Sequence, residues 1–403
     1  MPGAGTKTAT TTNNPVARCL DLTRLLSRTG KTLTGVDRVE LAYLRYFLAD
    51  PVPMFGFAKT AFGYVLLDQE GAQDFERRLV QNDWLKVDFL SYVARKLNPD
   101  RKKAETTLRK TAILRGRHAG QIFQQAMPKG TEYWNVGHSN LDISVFNAVK
   151  TVTGATINVL IHDVIPLDHP EFQRQGTVEA FEKKMRNVSA MADFVVYNSY
   201  DSQKRTEYYF AKWGRVPDSI VAHLGIDLVP PDPVGLPDAL NLDYPFFMVL
   251  GTIEPRKNHA FLLDLWADFG AKANLIIIGT RGWRNEDVFE RLDNHPPGVT
   301  ELSGLSDAAV SYLLTKTNGL LFPTIAEGYG FPPAEAALAG APVLCNDLPI
   351  FREFLGDYPI YVTVSDAYGW KMKINELVGG KKHCKSIMLP TWAHHFETVL
   401  RIT

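Results

Sequence analysis

Residues 320–346 read LLFPTIAEGYGFPPAEAALAGAPVLCN. LLFPT is short, apolar and bounded by turn formers, which predicts a buried strand. Pro333 suits the first position of a helix, AEAALAG continues it with strong helix formers, Gly340 stops it, and PVLCN opens another strand. Strand, loop, helix, strand is the repeating unit of a parallel sheet. Working outward, the same alternation recurs at YWNVG (133–137), INVLIHD (157–163), FVVYNS (194–199), FFMVLGTI (246–253) and NLIIIG (274–279), each followed by a helix-like segment. The fold class is therefore α/β. In such sheets ligands bind beyond the carboxyl ends of the strands.

The chain has 403 residues, 45% hydrophobic and 22% charged, long enough for two cores. DLVPPDPVGLPDALNLDYPF (227–246) holds five prolines and little periodicity, so 229–245 reads as a linker. It separates one α/β unit over 15–228 from a second over 246–385. The segment 386–403 reads as a closing helix able to pack back on the first unit. Residues 1–14, MPGAGTKTATTTNN, are small and polar, with no apolar core of a signal peptide, and read as a disordered tail. Lys+Arg and Asp+Glu each number 44, which argues against a nucleic-acid partner for the chain as a whole. Cys19, Cys345 and Cys384 are far apart and lack metal spacing, consistent with a cytoplasmic protein. No run of 18 apolar residues occurs.

VPMFGFA and FGYVLLD suggest a hairpin around AKT, followed by a helical insert over about 70–126. An apolar stretch there (Phe75, Leu79, Trp84, Leu85, Phe89, Leu90) precedes nine cations: Arg95, Lys96, Arg101, Lys102, Lys103, Arg109, Lys110, Arg115 and Arg117. This run is either a solvated face or a patch for an anionic membrane surface, which would make the protein peripheral on the inner face of the cytoplasmic membrane.

Glu327 follows one strand and Glu335 falls in the first turn of the next helix. Gly328 and Gly330 allow a ligand to approach the backbone closely, and the helix start is an anion site. Beyond FFMVLGTI stand Thr252, Glu254, Arg256, Lys257 and Asn258, where two adjacent cations suit a diphosphate. A carboxylate beside an anion site needs donors of another kind, which sugar hydroxyls supply. The pattern points to a ligand that is phosphate at one end and polyol at the other.

GTIEPRKN, IIIGTRGW and FPTIAEGYGFPPAEAALAGAPVLC, in this order, resemble the donor-binding half of retaining glycosyltransferases of family 4, and among these the bacterial polysaccharide mannosyltransferases. HLGID (223–227), NSYDSQKR (198–205) and, more loosely, TGVDRVELAYLRYF (34–47) extend the resemblance. It implies the GT-B fold, two Rossmann-like domains whose parallel sheets face across a cleft, with the first domain on the acceptor side. It assigns Glu327 to the donor sugar, Glu335 to the ribose, Lys257 to the diphosphate and the backbone of Gly330 and Phe331 to the sugar and phosphates. The family's usual arginine after the glycine of GTIEPRKN is Thr252 here, and Arg256 stands in for it. Gly35 falls where the family's first loop meets the diphosphate. His162 and Asp163, in IHDVIPLDHPEF, fall in the loop facing donor and acceptor, where a histidine is readily poised near neutral pH.

The implied reaction moves a sugar from a nucleotide sugar, with GDP-mannose favoured, to a glycan or lipid-linked acceptor with retained configuration. Either a diphosphate oxygen takes the acceptor proton or a covalent intermediate forms on Glu327 or Asp163. No Asp-x-Asp pair occurs, so neither metal nor other cofactor is expected. A nucleotide-sugar epimerase and a non-catalytic nucleotide-sugar-binding subunit of a polysaccharide assembly complex are the alternatives on this architecture.

Overall fold

The computed structural model describes residues 15–94, 96–238, 240–269, 272–379 and 387–400. The tail 1–14, Arg95 and Cys384 lie outside them. Two sheets organise the rest. The first contains β1 (Ala17–Asp21), β2 (Met54–Thr60), β3 (Gly63–Leu67), β4 (Leu114–Gly116), β5 (Thr131–Asn135), β6 (Thr156–Ile161), β7 (Phe194–Tyr197) and β8 (Asp218–Val221), in the order β4-β3-β2-β1-β5-β6-β7-β8. The second contains β9 (Phe246–Leu250), β10 (Asn274–Ile278), β11 (Val299–Leu302), β12 (Gly319–Phe322), β13 (Val343–Cys345) and β14 (Ile360–Tyr361), in the order β11-β10-β9-β12-β13-β14. Between β8 and β9 the described residues form no helix or strand. All pairings are parallel except β2–β3 and β3–β4. Parallel strands buried on both faces explain why most read as unbroken apolar runs.

The central strand β1 escaped that pattern because Arg18 is its second residue. The whole strand is buried, and the guanidinium is accommodated by Asp50 (2.9 Å) and Glu132 (3.4 Å). A buried charge is tolerated only when paired in this way. In the β2–β3 hairpin, Thr60 pairs with Gly63, so the turn is Ala61–Phe62 and Ala58 to Thr60 belong to the strand. The insert is not continuously helical either, since Leu114–Gly116 adds β4 to the sheet edge.

Nor do the described cations of the insert form one surface. Arg101 pairs with buried Glu105 (3.0 Å), Lys103 with Asp100 (3.4 Å), and Arg109, itself buried, with Asp88 (2.7 Å). Of the apolar stretch, Phe75 is in the core and Leu79 packs against it. Local carboxylates thus take up three of the cations that read in the sequence as one basic patch.

The helix Gly35–Ala49 buries Val39, Tyr43, Leu44 and Phe47 on one face, each removal from water contributing about 1.5–3 kcal/mol for the larger aliphatic and aromatic side chains. Its start is held by Asp37, which accepts the Thr34 backbone N–H (2.6 Å). The closing helix Trp392–Leu400 packs on this same helix, so the chain's last described element returns to the first sheet. Tyr43 bonds His395 (2.9 Å), and Phe396 stacks on Tyr46 with ring centres 3.8 Å apart. The HLGID segment makes the crossing possible. Gly225 lies against the backbone of Trp392 with no room for a side chain, and Ile226 donates to the Pro390 carbonyl (3.1 Å).

Candidate active site between the two sheets

Loops at the carboxyl ends of β9 and β12 bring Lys257 and Arg256 onto one carboxylate. Lys257 Nζ pairs with Glu327 Oε1, Arg256 lies 3.0 Å from the same oxygen, and Thr324 donates to it at 3.1 Å. Arg256 also binds Glu254 (2.6 Å) and the Ala326 carbonyl (2.5 Å). Lys257 sits over the Phe322 ring, 4.6 Å from its centre. Burial pushes the Glu327 carboxyl up, but the two cations and the Thr324 hydroxyl outweigh it, and the group lies below its ordinary value. Burial is the largest influence on Lys257 and draws it below the ordinary lysine value. The site is thus a buried anion clasped by two cations.

Asp163 comes to this cluster from the first sheet. It follows β6, accepts the Ile165 N–H (3.0 Å) and lines, with Glu327, a pocket between the two halves that also contains Asp168, His169, Asp201 and Arg205. Burial raises its carboxyl, and Arg256 partly offsets that. His162 behaves differently. Its ring turns away from the pocket and donates to the Val136 carbonyl (2.7 Å), while only its backbone carbonyl, bound by Asn198 (2.8 Å) and Ser202 (3.2 Å), faces the loop of Gly328.

Burial draws the His162 ring down to about 4, against a smaller opposing effect of the Val136 bond. The expectation of a side chain poised near neutral pH is therefore corrected: a ring whose folded value lies below its ordinary one has lost its proton well before neutrality. His162 is expected to contribute no limb near pH 6.5 to the pH profile of kcat/KM. A limb near pH 6.5 that disappears in His162→Gln would contradict this placement.

The helices that carry Glu335 and Gly35 meet on a separate part of the cleft, through Arg38 and Phe331. The helix carrying Glu335 spans Phe331–Leu338 after Gly330, whose φ of +104° suits glycine. It starts two residues before Pro333, which moves Glu335 from the first turn to the second. Glu335 is buried and receives Arg38 from the other half, while Arg38 also holds Asp307 (2.9 Å). Gly35 lies against Phe331, with a Cβ placed there only 3.0 Å from the ring. Thr252 stands apart from the ion cluster, packed on the Gly282 turn.

Several contributors were not singled out in the sequence: Arg38, Asp307, Thr324 and Glu353. Glu353 accepts the backbone N–H groups of Tyr200 (2.7 Å) and Asp201 (3.2 Å) and bonds His223 (2.7 Å). A carboxylate of the second half thereby caps the helix Tyr200–Lys212 of the first. Tyr329 donates to the Leu224 carbonyl (2.8 Å). The motifs NSYDSQKR and HLGID were visible locally, but their partners lie in another part of the chain.

Residues 237–388 match the model of the family "Glycosyl transferases group 1". Over 229 residues the chain is 31% identical to the serotype-specific mannosyltransferase WbdA of Escherichia coli, a match covering 52% of this chain and 28% of that protein. It is 26% identical over 253 residues to the O-antigen chain mannosyltransferase RfbU of Salmonella typhimurium, covering 60% of this chain and 65% of that one. The chain thus spans less than a third of the length of WbdA. Among solved structures, HepE of Anabaena in complex with UDP-glucose superposes with a TM-score of 0.61 at 14% identity, covering 96% of this chain and 95% of HepE. Sucrose-phosphate synthase of Thermosynechococcus elongatus gives 0.60 at 14% identity, covering 96% and 93%. The fold is GT-B, and the chain resembles polysaccharide mannosyltransferases.

Proposed function

We propose that this chain is a retaining hexosyltransferase that moves a sugar from a nucleotide diphosphate donor to a hydroxyl of a glycan or lipid-linked acceptor in bacterial surface polysaccharide synthesis. The observation that carries the reading is the convergence of Lys257 and Arg256 on Glu327 at adjoining strand ends. Both cations neutralise the departing diphosphate, with the helix start at Phe331 and Gly330 adding backbone N–H groups. Glu327 accepts hydroxyls of the donor sugar, and Glu335 accepts those of the ribose once Arg38 yields its place. Asp163, on the opposite wall of the pocket, lies on the acceptor side. A carboxylate engaged by two cations is a poor nucleophile, which favours proton uptake by a diphosphate oxygen over a covalent intermediate on Glu327. The likeness to mannosyltransferases supports GDP-mannose as donor.

Catalysis in this scheme needs no metal, because fixed cations take the metal's place. Among the described residues, no three His, Cys, Asp or Glu side chains converge as metal ligands. The test is to incubate the full chain with GDP-mannose and other nucleotide sugars, with and without oligosaccharide acceptor, in excess chelator. Acceptor-dependent release of nucleoside diphosphate is expected, with the product anomer matching the donor. Conversion of the donor to its epimer without acceptor would make the protein an epimerase, and binding without turnover would make it a binding subunit. Activity lost to chelator and restored by magnesium would overturn metal independence.

A further inference from the structure

The short helix Phe89–Val93 is packed inside out. Its single buried residue is Ser91, while Phe89, Tyr92, Val93 and Leu90 are exposed by 78%, 74%, 46% and 45%. Amphipathic elements normally bury the apolar side. Here the polar side is the anchor: Asp88 accepts from Ser91 N–H (2.7 Å) and Arg109 (2.7 Å), and Thr106 bonds both Asp88 (3.1 Å) and Ser91 (2.9 Å). Glu105, beside Arg109, fixes the neighbouring hairpin turn through Ala61 N–H (2.9 Å), which leaves Phe62 44% exposed near the Arg109 guanidinium. A buried ionic network therefore holds apolar side chains out toward solvent.

We infer that this face seats the protein on an anionic phospholipid bilayer. Three lysines flank it. Lys86 and Lys96 are exposed, and Lys102 reaches the Tyr92 carbonyl (3.5 Å). The nearest carboxylate, Asp88, is consumed by Arg109. Aromatic and aliphatic side chains ringed by lysines suit the headgroup boundary, where apolar tips enter and cations meet phosphate. A patch of this kind offers a few hundred Å² at most, short of the roughly 800 Å² per partner of a stable protein interface. A bilayer requires neither that area nor matching shape. Among the described residues no helix is long and apolar enough to cross a membrane, so the contact is superficial. Of the basic run read in the sequence, Lys96 and Lys102 belong to this surface, whereas Arg101, Lys103 and Arg109 are spent on internal pairs.

The inference stands on surface chemistry and does not require the proposed reaction. Its test is co-sedimentation of the full chain with vesicles of phosphatidylcholine, with and without phosphatidylglycerol. Binding to the anionic vesicles is expected. The combined Phe89→Ser, Leu90→Ser, Tyr92→Ser variant should bind about tenfold or more weakly at low and high salt alike. The combined Lys86→Gln, Lys96→Gln, Lys102→Gln variant should lose the salt-dependent share. Absence of wild-type binding, or equal binding by the serine variant, overturns the inference. A concentration-dependent dimer abolished by the serine changes would give the face to a second copy and also overturns it. GDP binding, measured in parallel, is expected to be equal in all three proteins; it reads the cleft alone, so failure of either reading is seen separately.

Discussion

Lys257→Ala is expected to lower turnover by roughly 10²–10³-fold and to weaken nucleoside diphosphate binding, the scale on which one fixed electrostatic donor acts in a water-poor site. Lys257 is 9% exposed, rests on the Phe322 ring and pairs with Glu327. Its charge therefore acts through protein more than through water, and no solvent cation replaces it. The fold should survive, because Glu327 keeps Arg256 at 3.0 Å and Thr324 at 3.1 Å. Lys257→Met supplies the control, since it restores the bulk without the charge. Steady-state kinetics and calorimetric titration with GDP and UDP are the measurements. Near-normal turnover in the alanine variant would remove Lys257 from the reaction, and rescue by methionine would reduce its role to packing.

Gly328→Ala is expected to cost about 10²-fold in kcat, the penalty of displacing reacting groups by about 1 Å. A Cβ there would lie 2.7 Å from the His162 carbonyl oxygen and 2.8 Å from Asp163 Oδ2. The carbonyl follows the end of β6 and is bound by Asn198 and Ser202, so it cannot rotate aside. Ser202 also donates to the Gly328 carbonyl (3.3 Å). The added methyl must push Glu327 and Asp163 apart, the two carboxylates that face each other across the pocket. The methyl meets the backbone and a carboxylate at the pocket and not the apolar cluster that runs through both halves, so the melting temperature should fall little while kcat collapses. Activity close to that of the wild type, with an unchanged melting temperature, would show that the two loops need not approach this closely during turnover.

The strand–helix alternation was legible because parallel strands buried on both faces must be apolar, whatever their neighbours. The hairpin was legible too, though its turn lies two residues further on than the sequence suggests. Strand β1 was not, since Arg18 breaks the run and its partners Asp50 and Glu132 come from elsewhere in the chain. The β9 and β12 loops showed their chemistry directly: glycines, cations and carboxylates crowd after strand ends, where the topology of an α/β sheet puts ligands. His162 sits in the same kind of position, yet its ring turns inward, held by the Val136 carbonyl, while Asp163, the next residue, lines the pocket.

Residue types after a strand end follow from local pattern, and so Glu327, Glu335, Lys257 and Arg256 could be picked out one by one. Their partners could not. Lys257 meets Glu327 across 70 positions, Tyr200 meets Glu353 across 153, and Arg38 meets Glu335 across 297. The same holds for the lysine- and arginine-rich insert, where Arg101, Lys103 and Arg109 looked free along the chain and are spent on Glu105, Asp100 and Asp88 in space. Periodicity reports what a segment buries, because burial repeats with the local geometry of the backbone. Pairing between distant segments depends on how the sheets close on each other, and no short-range repeat carries that information.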